Sequence, residues 1–225
     1  MHNIGSLFLT TLKMLEMHKK TLFCILVVFV CFTTVASAQY VPYAFTPHDV
    51  GQFDIAGVKL RMTQAEALAA VKESLGVTDN QIDAQQDYQE SRVTQKRELS
   101  YYSIKTDNIE MMISFGVQVP PNLEEPVIVQ GVTFKMSGDG QITETMRARA
   151  LEKYGTPTTG RVSDPAHFQV EWCNWPEGDT TGSCTTKEGA YLVFDGGREL
   201  NMRDPDVDRE MVEFLNNKPV SKPKF

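Results

Sequence analysis

Residues 53–76 read FDIAGVKLRMTQAEALAAVKESLG. This stretch decides the fold, because it joins a strand-like lead-in to a helix whose two ends are both marked. Phe53, Ile55, Val58, Leu60 and Met62 alternate as an extended segment does, with Gly57 marking a bend. Thr63-Gln64-Ala65-Glu66 is a capping box. The Thr63 hydroxyl can accept from the Glu66 amide while the Glu66 carboxylate reaches back to the Thr63 amide. Ala67, Leu68, Val71 and Leu75 follow at helical spacing, and Gly76 is placed to end the helix in a left-handed cap.

Working toward the C-terminus, residues 77–97 are polar and amide-rich, which fits a weak second helix or a long loop. Three strand-like runs come next: 98–106 with Leu99, Tyr101 and Ile104; 109–119 with Met111, Ile113, Phe115 and Val117; 127–136 with Ile128, Val132, Phe134 and Met136. Asp107-Asn108 is a hairpin turn signal, and Pro120-Pro121 and Pro126 frame the next link. The order then recurs. Ile142 to Tyr154 carries a helical stripe of Ile142, Met146, Ala150, Leu151 and Tyr154, stopped by Gly155 and Pro157. Strands are expected at 168–175, 190–195 and 198–202. A last helix opens with Asp204 as N-cap and Pro205 at the first helical position, then runs through Val207, Met211, Phe214 and Leu215. The expected fold is α+β: two tandem units of helix plus antiparallel sheet, 53–136 and 137–216, the second with a C-terminal helix. Residues 39–52, with two prolines and three aromatics, are read as an extended arm, and 217–225 as a loose tail.

Working toward the N-terminus, the first 38 residues read as a signal peptide. Lys19 and Lys20 precede an apolar run, Leu22 to Phe32, and Ala36-Ser37-Ala38 offers a cleavage site before Gln39. Met17 is a natural start for a compact leader. The run is short of the roughly 20 residues a bilayer span needs. Thr33 to Ala38 could lengthen it, so a retained anchor is the alternative to cleavage. Val30 before Cys31 does not suit a lipid-attachment box. The expected location is periplasmic or secreted after cleavage at Ala38/Gln39, with no transmembrane segment in the remaining chain. Loss of Lys13, Lys19, Lys20 and Glu16 leaves 19 basic against 28 acidic residues, a net charge of −9. Such a chain does not bind nucleic acid through a general basic surface.

Cleavage also removes Cys24 and Cys31 and leaves Cys173 and Cys184 in an oxidising compartment. They flank ten residues rich in turn formers, NWPEGDTTGS, so a disulfide closing a hairpin tip is expected. The spacing does not suit a C-x-x-C redox pair. Trp172 and Trp175 sit at the base of this loop. They are read either as core and disulfide cover or, with Tyr101 and Tyr102, as exposed anchors for a partner.

Two short stretches carry a resemblance. Val58 to Thr63 followed by Glu66 resembles the helix start of the SmpA/OmlA-like exported modules and of the repeats of β-lactamase-inhibitor-protein-like modules. Leu151-Glu152-Lys153-Tyr154-Gly155-Thr156-Pro157 resembles the helix exit in two-repeat exported proteins of that kind. The resemblance covers about 55–205 and concerns fold; Arg61 stands where glycine is usual. It implies binding of other proteins through a sheet face or loops, and it carries over no catalytic residue.

Other candidate chemistry is sparse. Asp204, Asp206, Asp208 and Glu210 alternate like a calcium loop, but Pro205 interrupts them and the sixth-position glycine is missing. Ser137 to Thr143 imitates the middle of an EF-hand without its end ligands. His48 and His167 fall in no recognisable triad or zinc spacing. The sequence therefore suggests no catalytic residue, cofactor or metal. The leading functional expectation is a non-catalytic exported protein that binds another protein or an envelope component through a sheet face and the Cys173–Cys184 hairpin. The alternatives are a structural or assembly accessory of the envelope, and an enzyme of a type the sequence does not reveal.

Overall fold

The computed structural model describes residues 47–217 except 84–87, 138–139, 163–167, 176–181 and 197. The leader with Met17 and its Ala38/Gln39 cut, the arm up to residue 46, Gly138-Asp139, His167 and the tail from 218 lie outside the described residues.

β1 (Asp54–Ile55) and β2 (Val58–Lys59) form a small hairpin over Ala56-Gly57. α1 (Gln64–Leu75) starts with both halves of the capping box in place: Thr63 N donates to Glu66 Oε2 at 2.8 Å and Glu66 N to Thr63 Oγ1 at 3.4 Å. Gly76 ends the helix at φ 64°, a conformation glycine takes without a Cβ penalty. A single 3-10 turn, Asp79–Gln81, follows in place of a full second helix or a simple loop. The chain forms β3 (Ile82–Asp83) and then a separate hairpin of β4 (Tyr88–Glu90) and β5 (Arg97–Leu99). Its turn is held by Ser91 Oγ, which accepts from the amides of Val93 and Thr94. That is local side-chain chemistry with no glycine or proline to announce it.

β6 (Tyr101–Lys105), β7 (Ile109–Val117) and β8 (Val127–Met136) follow, then α2 (Gly140–Tyr154). β9 (Thr159–Val162), β10 (Phe168–Cys173), β11 (Tyr191–Asp195), β12 (Glu199–Arg203) and α3 (Asp206–Asn216) complete the chain. Asp204 Oδ1 accepts the Asp206 amide at 3.0 Å, but the helix begins at Asp206, one residue later than expected, so Pro205 and not Asp204 occupies the cap position.

The expected α+β class is the observed one: among the described residues there are antiparallel sheets and three α-helices, the last of them C-terminal. The two expected units share one eight-stranded sheet of order β3-β6-β7-β8-β12-β11-β10-β9. They join at β8–β12, where Phe134 faces Leu200 and Val132 faces Met202. Continuous backbone pairing at that seam makes 53–136 and 137–216 two halves of one sheet.

Strand register sorts the residues into rows. One face presents Trp172, Leu192, Met202, Val132, Ile113 and Tyr102 across six strands, and beside them Val170, Phe194, Leu200, Phe134, Met111 and Ile104. This face is the core, and Ala67 and Val71 of α1 and Met146, Ala150 and Tyr154 of α2 pack into it. The opposite, outer face carries Glu171, Val193, Asn201, Thr133, Met112 and Ser103 in its middle row. Alternation along each strand puts most of the large apolar side chains on the core side, with Val193 and Met112 as the apolar members of the outer row.

α3 lies against the outer face. A Cβ at Gly116 would stand 2.5 Å from Val207 Cγ1, so the helix approaches the sheet to a distance only glycine permits. α3 is also tied to the turn before α1. Arg61 adopts φ 65°, a left-handed conformation that costs about 1 kcal/mol for a side-chain-bearing residue. Its guanidinium meets Asp204 Oδ2 at 2.7 Å and grips Glu210 at 2.8 and 3.2 Å. The Glu210 hydrogen bond, opposed by partial burial and reinforced by Asp204, holds this guanidinium charged well beyond its ordinary range.

Candidate binding cleft and the outer sheet face

The four aromatic residues considered as partner anchors do not form one surface. Trp172 is fully buried on the core face, where its Nε1 donates to the Gly155 carbonyl at 3.2 Å and its ring meets Tyr154 at 5.6 Å. Tyr102 is buried on the same face, edge-on to Phe115, and accepts a hydrogen bond from Gln64 Nε2. Trp175 is only 4% exposed and packs with Tyr191 on the disulfide, under the Lys187 ammonium. Tyr101 alone is on the outer face, partly buried. The reading of Trp172, Trp175 and Tyr102 as exposed anchors is therefore corrected. Strand parity turns Trp172 and Tyr102 inward, and the Cys173–Cys184 closure covers Trp175.

Cys173 and Cys184 are disulfide-bonded, their Cα atoms 5.7 Å apart. The far side of the loop is fastened to the sheet by Glu171, a buried carboxylate on the outer face. It accepts from Ser183 Oγ at 2.7 and 2.9 Å and from the Cys184 amide at 2.6 Å. His48, in the arm, holds that arm to the body: its amide donates to the Cys173 carbonyl and its Nε2 lies 2.8 Å from the Thr156 carbonyl. The acidic run at α3 is likewise committed. Arg61 takes Asp204 and Glu210, Arg209 takes Asp206, and Arg203 takes Asp208. Among the described residues no cluster of three or more His, Cys, Asp or Glu could hold a metal ion, and no helix is long and apolar enough to cross a membrane.

What remains open on the outer face is the stretch of β12, β8, β7 and β6 carrying Asn201, Thr133, Met112 and Ser103. Met112 is 43% exposed there.

On the core side, α1 and α2 leave a cleft of about 610 Å³ over the seam between the two half-sheets. Phe134, Met136 and Leu200 of the central strands line it, together with Ile55, Ala56 and Leu75 from the first half and Met146, Ala150 and Tyr154 from α2. Its volume lies in the range of small-molecule sites. Thr145, Arg149 and Lys153 also line it, spaced i, i+4 along α2. Lys153 Nζ pairs with Asp54 Oδ1 at 2.7 Å. Partial burial works against ionisation of Asp54, but the Lys153 ammonium and the Gly57 amide outweigh it and hold its carboxyl below the usual range. The Tyr154 hydroxyl donates to the Asp54 carbonyl, and burial, with Asp54 nearby, pushes the phenol well above its ordinary pKa. Tyr154 is therefore a neutral hydrogen-bonding group, not a base.

The sequence did not reveal this cleft, because its lining comes from β1, the β1–β2 turn, α1, α2, β8 and β12. The available signal was the row Thr145-Arg149-Lys153, which puts two cations on α2 next to its buried stripe.

Among the described residues, fold and site together define an α+β protein with an eight-stranded antiparallel sheet and two small hairpins, a helix pair over one face of the large sheet and a single helix on the other. Comparisons with protein families, with curated proteins and with solved structures found no match to this chain.

Proposed function

We propose that the chain is an exported, non-catalytic binding protein, periplasmic or secreted once residues 1–38 are removed, and that its ligand is an envelope component held in the cleft between α1 and α2. The observation that carries this reading is the cleft itself: about 610 Å³, lined mainly by Met, Leu, Ile, Phe and Ala side chains. The leader-like segment and the Cys173–Cys184 bridge support export, since disulfides persist in oxidising compartments. The lining supports binding over catalysis, because Thr145 and the neutral Tyr154 are its hydroxyl groups and its charged groups are both cations. Titration with the neutral apolar fluorophore N-phenyl-1-naphthylamine tests the reading. Saturable binding at one site per chain is expected. A linear, non-saturating response would refute it.

A second reading has its own observation. Met112 stands 43% exposed on the outer face, among the short polar side chains Ser103, Thr133 and Asn201. Such a patch suits docking of another exported protein, as the resemblance to SmpA/OmlA-like and β-lactamase-inhibitor-protein-like modules implies. If that reading holds, Met112→Glu reduces capture of a partner from an envelope fraction and leaves binding of the fluorophore unchanged.

A further inference from the structure

We infer that the cleft takes the chain of a free fatty acid, with Arg149 receiving the carboxylate; this rests on the proposal that the cleft is the ligand site. Three observations carry it. First, the lining offers few hydrogen-bonding groups. Thr145 is one, and the Tyr154 hydroxyl is already committed to the Asp54 carbonyl. A sugar or nucleotide would lose its water contacts there without replacement, whereas an alkyl chain has none to lose.

Second, both charges in the lining are positive, in a chain whose overall charge is −7. Lys153 is neutralised by Asp54 at 2.7 Å. Arg149 is exposed, one helical turn before Lys153, and has no ion-pair partner among the described residues. A guanidinium fork matches a carboxylate in a bidentate pair, and a single unpaired fork matches a monoanion.

Third, Arg149 stands beside Met146 and Ala150 on α2, at the edge of the apolar lining. A ligand with its anionic end at Arg149 can lay its chain over Met146, Met136 and Leu200. Methionine side chains adapt readily to chains of different length.

The experiment is calorimetric titration of the purified full chain with decanoate, octanoate, butyrate, decanol, decyl phosphate and decyltrimethylammonium. The wild type is compared with Arg149→Gln, an exposed substitution that leaves the core intact. Decanoate is expected to bind one to one. Octanoate, two methylenes shorter, is expected to bind about fifteenfold more weakly, since each fully buried methylene is worth about fourfold in affinity. Butyrate is expected not to bind measurably. Arg149→Gln is expected to weaken decanoate about tenfold and to leave decanol unchanged. Decyltrimethylammonium is expected to bind at least about tenfold more weakly than decanoate.

Equal affinity for decanoate and decanol, unaffected by Arg149→Gln, would overturn the head-group assignment and leave the cleft reading standing. Butyrate binding as tightly as decanoate would overturn the chain-in-cleft geometry. Tighter binding of decyl phosphate than of decanoate would replace the carboxylate by a phosphate. If no decyl compound binds, the cleft reading fails as well.

Discussion

Adding a single methyl group at Gly116 is expected to force α3 away from the outer face of the sheet. The Cβ of Gly116→Ala would stand 2.5 Å from Val207 Cγ1 and 3.2 Å from Gln130 Oε1. Carbon atoms rest at roughly 3.5–4.0 Å, so the contact with Val207 requires a displacement of about 1 Å. Gln130 can swing its amide aside. Val207, 2% exposed, cannot move without its helix, and that helix is fixed at its start by Arg61, Asp204 and Glu210. Overpacking of this kind costs about 1–3 kcal/mol. Replacing glycine restricts the unfolded chain and returns about 0.4–1 kcal/mol, which leaves a net loss of about 1–2 kcal/mol. Val207→Ala removes the obstructing methyl, at a cost of about 1.5–3 kcal/mol when made alone.

The double variant should be less unstable than the sum of the two by about 1–2 kcal/mol, because each change makes room for the other. Urea unfolding of the four proteins measures this, provided the midpoints shift at constant slope. Additivity within about 0.5 kcal/mol would refute the packing of α3 on β7 at Gly116.

Other consequences are as direct. Cys184→Ser opens a loop of sequence separation 11 and should destabilise by up to about 3 kcal/mol, with a reductant reproducing the effect in the wild type. Trp175→Ala should cost about 3–5 kcal/mol in urea unfolding, as expected for a buried residue; a change within about 0.5 kcal/mol would mean the ring is solvent-facing. The carboxyl of Asp54 has a lower pKa folded than unfolded. Its stabilisation is therefore present above the unfolded value near about 4 and is lost as the pH falls through the folded value. Melting temperatures followed from neutral to strongly acidic pH should show a shallower acid limb for Asp54→Asn than for the wild type.

Local chemistry was the legible part of the fold. Thr63, Glu66 and Gly76 mark the ends of α1 through contacts within three or four residues, and the structure has them all. The alternation in 109–117 carried the core face, since strand parity is a property of neighbours, but in 127–136 a register shift opposite Ser114 and Phe115 puts Val127 and Val129 in the core and turns the expected Ile128 away from it. What the sequence did not show is non-local. Pairing of β8 with β12 joins residues some 66 apart, such as Phe134 and Leu200, and no turn signal records it. The β4–β5 hairpin turns on Ser91, a residue common in many settings. Trp172 looked like a possible anchor because two tryptophans flank a disulfide loop. Its inward direction follows from its place opposite Leu192, which only the register gives. The cleft is hidden for the same reason, being the gap left where two helices share a seam.

The proposal that this cleft is the ligand site is tested most directly by NMR of methionine methyl groups labelled with 13C. Met136 and Met146 line the cleft, while Met112 is on the opposite face of the sheet. Saturating decanoate should shift the methyl signals of Met136 and Met146 along a single-site isotherm and leave that of Met112 in place. A shift confined to Met112, with Met136 and Met146 unmoved, would contradict the account.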